Sequence, residues 1–379
     1  MEYLKHHKYF AQVAGSLEKH AALELTNLGA EVIQEISRGV RFTCATETLY
    51  RIVYNSRLVQ RVLAPLISFQ CHSEKYLYNQ AHANLDWTSL FKVTDTFAIV
   101  TNVSNSHISN SLYAGQVLKD AICDQFRDKY NARPDFSVKE ADILFNLYIN
   151  DNWATISIDL AGHSLHKRGY RKGMTLAPLQ ETLAAAVVML SGWEGRNTFY
   201  DPMCGSGTLL AEALMRQCRI PAGYLRKDKA IAFLPDFDEV LWNKVRRESD
   251  AAIRPLPQGL ISGSDISAGN IEHTRKNLQS LPYGDKVELT VSRFQDLPKI
   301  PNRTIVTNPP YGVRLGDTDS TRKLYNDLGD WLKQKCPASE AYVLCGNADL
   351  VKDLRLRASW KKSLKNGDLE TKLAKIVIR

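Results

Sequence analysis

Two stretches of the chain hold residues whose types and spacing could do chemistry. The first is Thr198-Phe199-Tyr200-Asp201-Pro202-Met203-Cys204-Gly205-Ser206-Gly207-Thr208. A short apolar run meets an acid, then a glycine-rich turn, then the start of a helix. Gly205 and Gly207 lack Cβ, so the chain can turn tightly and a ligand can approach the backbone. The amides opening the following helix are free to bind that ligand. The loop lacks the Gly-Lys-Ser/Thr of a nucleotide-phosphate loop and the full G-x-G-x-x-G of a dinucleotide fold. The second stretch is Thr304-Ile305-Val306-Thr307-Asn308-Pro309-Pro310-Tyr311-Gly312. Its two prolines fix φ and remove two amide donors, which leaves carbonyl acceptors facing a pocket.

Taken together, these stretches resemble motif I and the Asn-Pro-Pro-Tyr motif of S-adenosylmethionine-dependent amino-group methyltransferases. The resemblance implies a division of labour. Asp201 takes the ammonium head of the donor beside the turn Met203, Cys204, Gly205, Ser206, Gly207 and Thr208. Asp265, in Gly263-Ser264-Asp265-Ile266-Ser267, accepts from the ribose hydroxyls, with Ile266 beside it. Asp296, next to Gln295, accepts from the adenine amine, and Glu181 contacts the donor from a covering helix. The residues alone leave alternatives open: Asp265 suits a helix cap, Asp296 a plain turn, and Glu181 an ordinary first helical turn.

On the acceptor side, an exocyclic amine is a poor nucleophile because its lone pair is delocalised into the base. The Asn308 side-chain oxygen and the Pro309 carbonyl can accept its two N–H bonds, which aims the lone pair and stabilises positive charge developing on nitrogen. Pro310 holds the turn, and Tyr311 can stack on an extruded base. Adenine N6, cytosine N4 and guanine N2 all fit this motif. The longer run Thr307 to Leu315, with Arg314 near its end, resembles the form found in THUMP-containing bacterial 23S rRNA guanine-N2 methyltransferases. It implies that Arg314 holds the acceptor nucleotide or its phosphate; surface charge is the plain alternative. Relatives of this kind also carry the label of adenine-specific DNA methylases, which is the main rival. A non-catalytic RNA-binding or ribosome-assembly factor is the rival from another class.

The elements that must position these residues alternate strand and helix from Thr198 onward. Strands are predicted over 198–201, 258–265, 286–292, 303–308 and 340–346, and helices near 208–217, 267–280 and 321–335. This pattern implies a mainly parallel sheet covered on both faces, in the seven-stranded, Rossmann-like arrangement of class I methyltransferases. Ligands in such folds bind outside the carboxyl ends of strands, where Asp201, Asp265, Asp296 and Asn308 all fall. The 64 residues from Asp201 to Asp265 exceed the ~20 of a dinucleotide fold and imply an inserted helical element over Cys218–Gln258. Lys365-Asn366-Gly367-Asp368 reads as a hairpin turn closing an antiparallel edge. Lys361, Lys362 and Lys365 suit either phosphate contact or protection of that edge.

Upstream, residues 8–65 read as strand, helix, strand, strand, helix, strand, the ferredoxin-like order. Ser16 and Gly29 bracket its first helix. Residues 66–163 hold a strand at Phe97–Val103, a helix from Leu112 to Tyr130 and a hairpin around Asn150-Asp151-Asn152; they resemble a THUMP RNA-binding domain. The expected division is therefore 1–65, 66–163 and a catalytic domain over 164–379. At the junction, His163-Ser164-Leu165-His166-Lys167-Arg168-Gly169-Tyr170-Arg171-Lys172 groups cations around an aromatic. Arg168 and Arg171 can fork onto phosphate and Tyr170 can stack, unless the run is simply a basic linker. Pro178 suits the first turn of the next helix.

Composition narrows the class. Residues 1–163 carry 15 Lys and Arg against 17 Asp and Glu, and residues 164–379 carry 34 against 24, a difference of +10 that suits a polyanionic substrate. Nothing approaches an apolar run of about 20 residues, so no membrane span is expected. The amino-terminus lacks a signal core. Seven cysteines without Cys-x-x-Cys read as reduced thiols of a cytoplasmic protein. The histidines lack metal spacing, and His6-His7 reads as a solvated tail. The expected partners are S-adenosylmethionine and RNA (23S rRNA or a large-subunit precursor), with no metal and no membrane.

Overall fold

The computed structural model describes residues 1–139, 141–162, 164–172, 179–226, 230–311, 318–367 and 369–379. His163, Pro178, Arg314 and Asp368 lie outside them. Two compact units are present. One comprises Met1–Val13, Glu18–Leu165 and Lys227–Arg247; the other comprises Ala14–Leu17, His166–Arg226 and Glu248–Arg379.

The first unit is built from α1 (Glu2–His6), β1 (Lys8–Val13), α2 (Glu18–Asn27), β2 (Glu31–Ile36), β3 (Gly39–Thr43), α3 (Thr46–Asn55), β4 (Val59–Gln70), α4 (Glu74–Asn84), β5 (Thr96–Ser104), α5 (Ser111–Tyr130), β6 (Asp135–Phe136), β7 (Ile143–Asn150) and β8 (Trp153–Asp159). Its eight strands form one sheet in the order β2-β3-β1-β4-β8-β7-β5-β6. The long strand β4 joins the two modules. It pairs antiparallel with β1 on one side and with β8 on the other. The expected border between residues 65 and 66 falls inside this strand, at a register shift spanning Pro65 and Ile67. A proline without an amide is tolerated in a sheet at such an irregularity.

Two helices were not anticipated in this unit. His6 and His7 are exposed, as expected of a solvated pair, but Glu2–His6 forms α1, anchored by the fully buried Tyr3, whose hydroxyl donates to Asp236 (2.8 Å). Helix α4 starts at the Ser73 cap, whose hydroxyl accepts from the Tyr76 amide. The insertion supplies further packing to the same unit. Trp242 sits edge-on to Tyr50 and Tyr54, with ring centroids 5.6 and 5.9 Å apart.

The second unit contains α6 (Glu181–Leu190), β9 (Thr198–Asp201), α7 (Thr208–Gln217), β10 (Ile261–Asp265), α9 (Ala268–Gln279), β11 (Glu288–Val291), β12 (Arg303–Thr307), α10 (Thr318–Lys335), β13 (Ser339–Cys345), α11 (Ala348–Asp353), β14 (Ala358–Asn366) and β15 (Leu369–Ile378). Helix α8 (Glu239–Ala251) comes between α7 and β10 in the chain. The seven-stranded sheet runs β11-β10-β9-β12-β13-β15-β14. Strands β11, β10, β9, β12 and β13 are parallel to one another, and β15 and β14 close the edge antiparallel. This is the mainly parallel, class I architecture expected. The chain moves outward from β9 to β10 and β11, then returns to place β12 on the other flank of β9. The order therefore reverses between β9 and β12, the switch point at which such sheets open a crevice for ligands.

The side of the sheet covered by α10 and α11 is filled by Ile305, Tyr325, Leu328, Trp331, Val343, Leu354 and Ile376. Gly329 lets the α10 backbone approach closely there. A Cβ at this position would lie 1.9 Å from the Leu354 carbonyl oxygen. Helix propensity alone favours alanine over glycine by about 1 kcal/mol, but overpacking costs about 1–3 kcal/mol or more. Gly329→Ala should therefore lower the melting temperature; a rise would contradict this packing.

Candidate active site

The glycine turn is fixed by its neighbours before any ligand is considered. The Cys204 amide donates to the Ser264 carbonyl (2.9 Å) and the Gly205 amide to Asp265 Oδ2 (2.9 Å). Helix α9 holds the other side: the Thr274 hydroxyl donates to the Gly205 carbonyl (2.8 Å) and Asn277 Nδ2 to the Ser206 carbonyl (2.9 Å). Both glycines are left-handed, with φ of +56° at Gly205 and +78° at Gly207. They serve different ends. A Cβ on Gly207 would lie 2.5 Å from Thr274 Cγ2, so that glycine allows close packing. A Cβ on Gly205 would meet nothing within 4 Å, so that glycine borders open space.

Acids stand around this space. Asp201 ends β9, is 1% exposed, and accepts from the Met203 amide (3.1 Å). Burial pushes its pKa from the ordinary 3.8 up to about 7, and the Asp265 charge adds to the rise. The Met203 amide and the Thr307 hydroxyl resist it. That hydroxyl has no hydrogen-bond partner of ordinary geometry among the described residues. Asp265 ends β10. Its Oδ1 accepts from the Ser267 amide (2.9 Å) and Asn270 Nδ2 (3.1 Å). Ser267, not Asp265, caps α9. A carboxylate offers about four acceptor sites, so these contacts leave about one, on Oδ2. Ile266 beside it is 63% exposed, an apolar surface at the rim. Gln295 and Asp296 are exposed on the short 3₁₀ turn Phe294–Asp296, which the buried Phe294 anchors.

The Asn-Pro-Pro-Tyr elbow leaves the end of β12. Ile305 pairs with Tyr200 in parallel register, so Asp201 and Asn308 project from the ends of adjacent strands at the switch point. Asn308 is half-buried, Pro309 buried and Pro310 exposed. The Tyr311 hydroxyl donates to Asn308 Oδ1. The Tyr311 ring also packs on Gly346, where a Cβ would lie 2.7 Å from Tyr311 Cβ and Cγ. The acceptor oxygen of Asn308 is thus engaged by the aromatic expected to stack. Burial raises the Tyr311 phenol well above its usual range, so it remains a donor at any ordinary pH.

The junction cations are placed otherwise than expected. Arg168 and Tyr170 are each 1% exposed. Arg168 Nε and the Tyr170 hydroxyl both lie 3.3 Å from Glu212 Oε1 on α7. Neither has a surface with which to meet phosphate or base. Arg171 donates to Glu181 Oε1 (3.0 Å), the Leu179 carbonyl (3.1 Å), the Thr208 hydroxyl (3.2 Å) and the Ser206 hydroxyl (3.4 Å). Its charge is matched by Glu181, which is buried rather than exposed. These residues brace the glycine turn from behind.

Sequence reasoning missed Glu212, Thr274, Asn277, Thr307 and Gly346. A signal existed for two of them. Thr274 and Asn277 interrupt the apolar face of α9 at the spacing i, i+3, between Ile271 and Leu278. Among the described residues, no group of three or more His, Cys, Asp and Glu could hold a metal ion, and all seven cysteines are free and buried. No helix described is long and apolar enough to cross a membrane.

Comparison with known proteins assigns each part of the chain to a domain family. Residues 168–375 match the RMKL-like methyltransferase domain, 71–159 the THUMP domain and 8–63 the RlmL ferredoxin-like domain. A Synechocystis sp. protein named "Putative RNA methyltransferase slr0064" is 36% identical over 97% of this chain and 96% of its own length. A Syntrophotalea carbinolica protein named "Ribosomal RNA large subunit methyltransferase K/L" is 35% identical over 97% of this chain, which spans only 53% of that relative. The crystal structure of SMU.472, "a putative methyltransferase complexed with SAH", superposes with a TM-score of 0.85 at 28% identity and covers 98% of both chains.

The Asp201 environment has a measurable consequence. Its folded pKa lies above its unfolded one, so the native state binds the proton more tightly. That contribution is complete below about pH 4 and is lost as pH rises through about 7. Asp201→Asn should therefore gain stability relative to the parent between pH 5 and 8 in denaturant titrations, on the order of a few kcal/mol. A pH-independent difference would contradict the assignment.

Proposed function

The chain belongs to the family of RMKL-like methyltransferase domains and is an S-adenosylmethionine-dependent methyltransferase; from that premise we propose that it acts on RNA in the cytoplasm, methylating the exocyclic N2 amine of a guanine in 23S rRNA or a large-subunit precursor. The observation that carries this reading is the placement of a glycine turn and an Asn-Pro-Pro-Tyr elbow on adjacent strand ends at one switch point. The THUMP domain and the names of the relatives support RNA as the substrate. The basic excess after residue 163 suits a polyanion. Guanine N2 is favoured by the resemblance of the run Thr307 to Leu315.

The residues present fit the methyl donor. Open space at Gly205 leaves room for it. Asp201 takes the ammonium group, and Asp265 Oδ2 offers its remaining acceptor site to a ribose hydroxyl. Ile266 flanks the adenine, and Asp296 accepts from its amino group. Glu181 acts through Arg171, holding the turn rather than touching the donor. When bound, the donor supplies an electrophilic methyl group. Asn308 Oδ1 and the Pro309 carbonyl accept the N–H bonds of the target amine and aim its lone pair, and Pro310 keeps the elbow open. Tyr311 releases Asn308 as the base enters, which frees its ring to stack. The proton leaves to solvent after transfer. Removing one such acceptor from a preorganised site costs roughly 10²–10³ in rate.

Labelled methyl transfer to ribosomal RNA and to DNA, followed by nucleoside analysis, tests the reading. N2-methylguanosine in RNA is the expected product, and N6-methyladenine in DNA would overturn it. Asn308→Ala should lose about 10²-fold or more in turnover with donor affinity unchanged by calorimetry; equal turnover would reject the elbow's role.

A further inference from the structure

The closing hairpin does more than finish the sheet. Pairing of β13 with β15 ends at Cys345 and Lys372. Pairing of β15 with β14 continues three residues further, to Leu369 and Asn366. At about 3.3 Å per residue, the hairpin tip overhangs the carboxyl rim by roughly 10 Å. The overhang stands at the acceptor side of the site. Gly346, which seats the Tyr311 ring, directly follows Cys345. Asn366, at the tip end of β14 and on the face opposite Lys365, lies near enough to the Tyr311 phenol to pull its pKa down against the effect of burial.

One face of this hairpin is basic. Successive same-face positions on β14 are Lys361, Ser363 and Lys365, opposite Ala374, Lys372 and Glu370 of β15. Ala374 and Cys345 share one core cluster, and Lys361 lies near enough to Cys345, the residue before Gly346, to bear on its thiol. Lys372 is held by the Ser363 hydroxyl (2.5 Å). Lys361 and Lys365 are exposed and have no ion-pair partner among the described residues, Glu370 included. A lysine-bearing outer strand also resists edge-to-edge association. That role does not require the hairpin tip to extend past the rim on the acceptor side of the site.

We propose that the β14–β15 hairpin is the guide for the RNA strand that delivers the target nucleotide, with Lys361 and Lys365 each holding a phosphate flanking it. The inference rests on RNA being the substrate. The guide positions the strand and takes no part in the transfer itself, so it governs KM for RNA and leaves kcat alone.

The test uses the full chain and a ribosomal RNA fragment that it methylates. The double variant Lys361→Gln/Lys365→Gln should raise KM for RNA about tenfold near 0.15 M salt, with kcat at saturating RNA and donor affinity unchanged. Losing two phosphate contacts on a single strand should also reduce the salt dependence of RNA binding, lowering the slope of log K against log salt by about 1.4. The control Lys333→Gln/Lys335→Gln removes equal charge near the end of α10, where the chain leads into the opposite end of β13, and should leave both quantities as in the parent. An unchanged KM and slope in the hairpin variant, or equal changes in the control, would overturn the guide while leaving the methyltransferase reading intact. Increased self-association with unaltered RNA affinity would assign the lysines to edge protection instead. A parent that neither binds nor methylates RNA would overturn both readings.

Discussion

The hydrogen bond from the Gly205 amide to Asp265 is the contact on which the second unit's site depends. It ties the turn after β9 to the end of β10, and the Cys204–Ser264 backbone bond reinforces it one residue earlier. With both in place, the left-handed turn cannot relax toward the crevice. A charge-assisted bond of this kind is stronger than a neutral one, and burial around Asp265 keeps water from competing for it. The cost is that most of the Asp265 acceptor capacity serves the fold. Donor recognition must then be shared among several partial contacts on the rim.

Behind the turn, two buried ion pairs set its rear wall. Arg168 with Glu212, and Arg171 with Glu181, link the segment after the unit boundary to α7 and α6. Buried pairs seldom add net stability, because desolvation offsets their attraction. Their value here is geometric. The guanidinium of Arg171 spans Glu181, Leu179, Ser206 and Thr208, so a shift of α6 would be transmitted to the loop. At the front, Asp201 is held largely in an apolar setting. Its carboxyl is poised to change protonation near neutrality, so a cationic ligand group would draw it into the ionised form.

Much of the architecture was legible because the strands are short apolar runs ended by turn residues. Strand β2 and helix α7 coincide with their sequence limits, and the alternation after Thr198 was enough to place Asp201, Asp265 and Asn308 on one rim. What stayed hidden depends on partners distant in the chain. Arg168 looked like a phosphate ligand because a local run of cations does not show that Glu212, 44 residues away, matches it. Helix α1 was not anticipated because its charged neighbours mask the single anchor, Tyr3. The insertion was visible as excess length, but its packing of Trp242 against Tyr50 and Tyr54 was not. The engagement of Asn308 by Tyr311 was equally beyond reach, since both had been assigned to the incoming base.

In the proposed reaction, donor and acceptor meet across the ends of β9 and β12. The most direct measurement is a crystal structure with a donor analogue that carries an amine where the transferred methyl stands. The account predicts that this amine lies within hydrogen-bonding distance of Asn308 Oδ1 or the Pro309 carbonyl, with the analogue's amino acid head beside Asp201. An analogue bound with its amine turned away from Asn308, or seated at another part of the sheet, would contradict it.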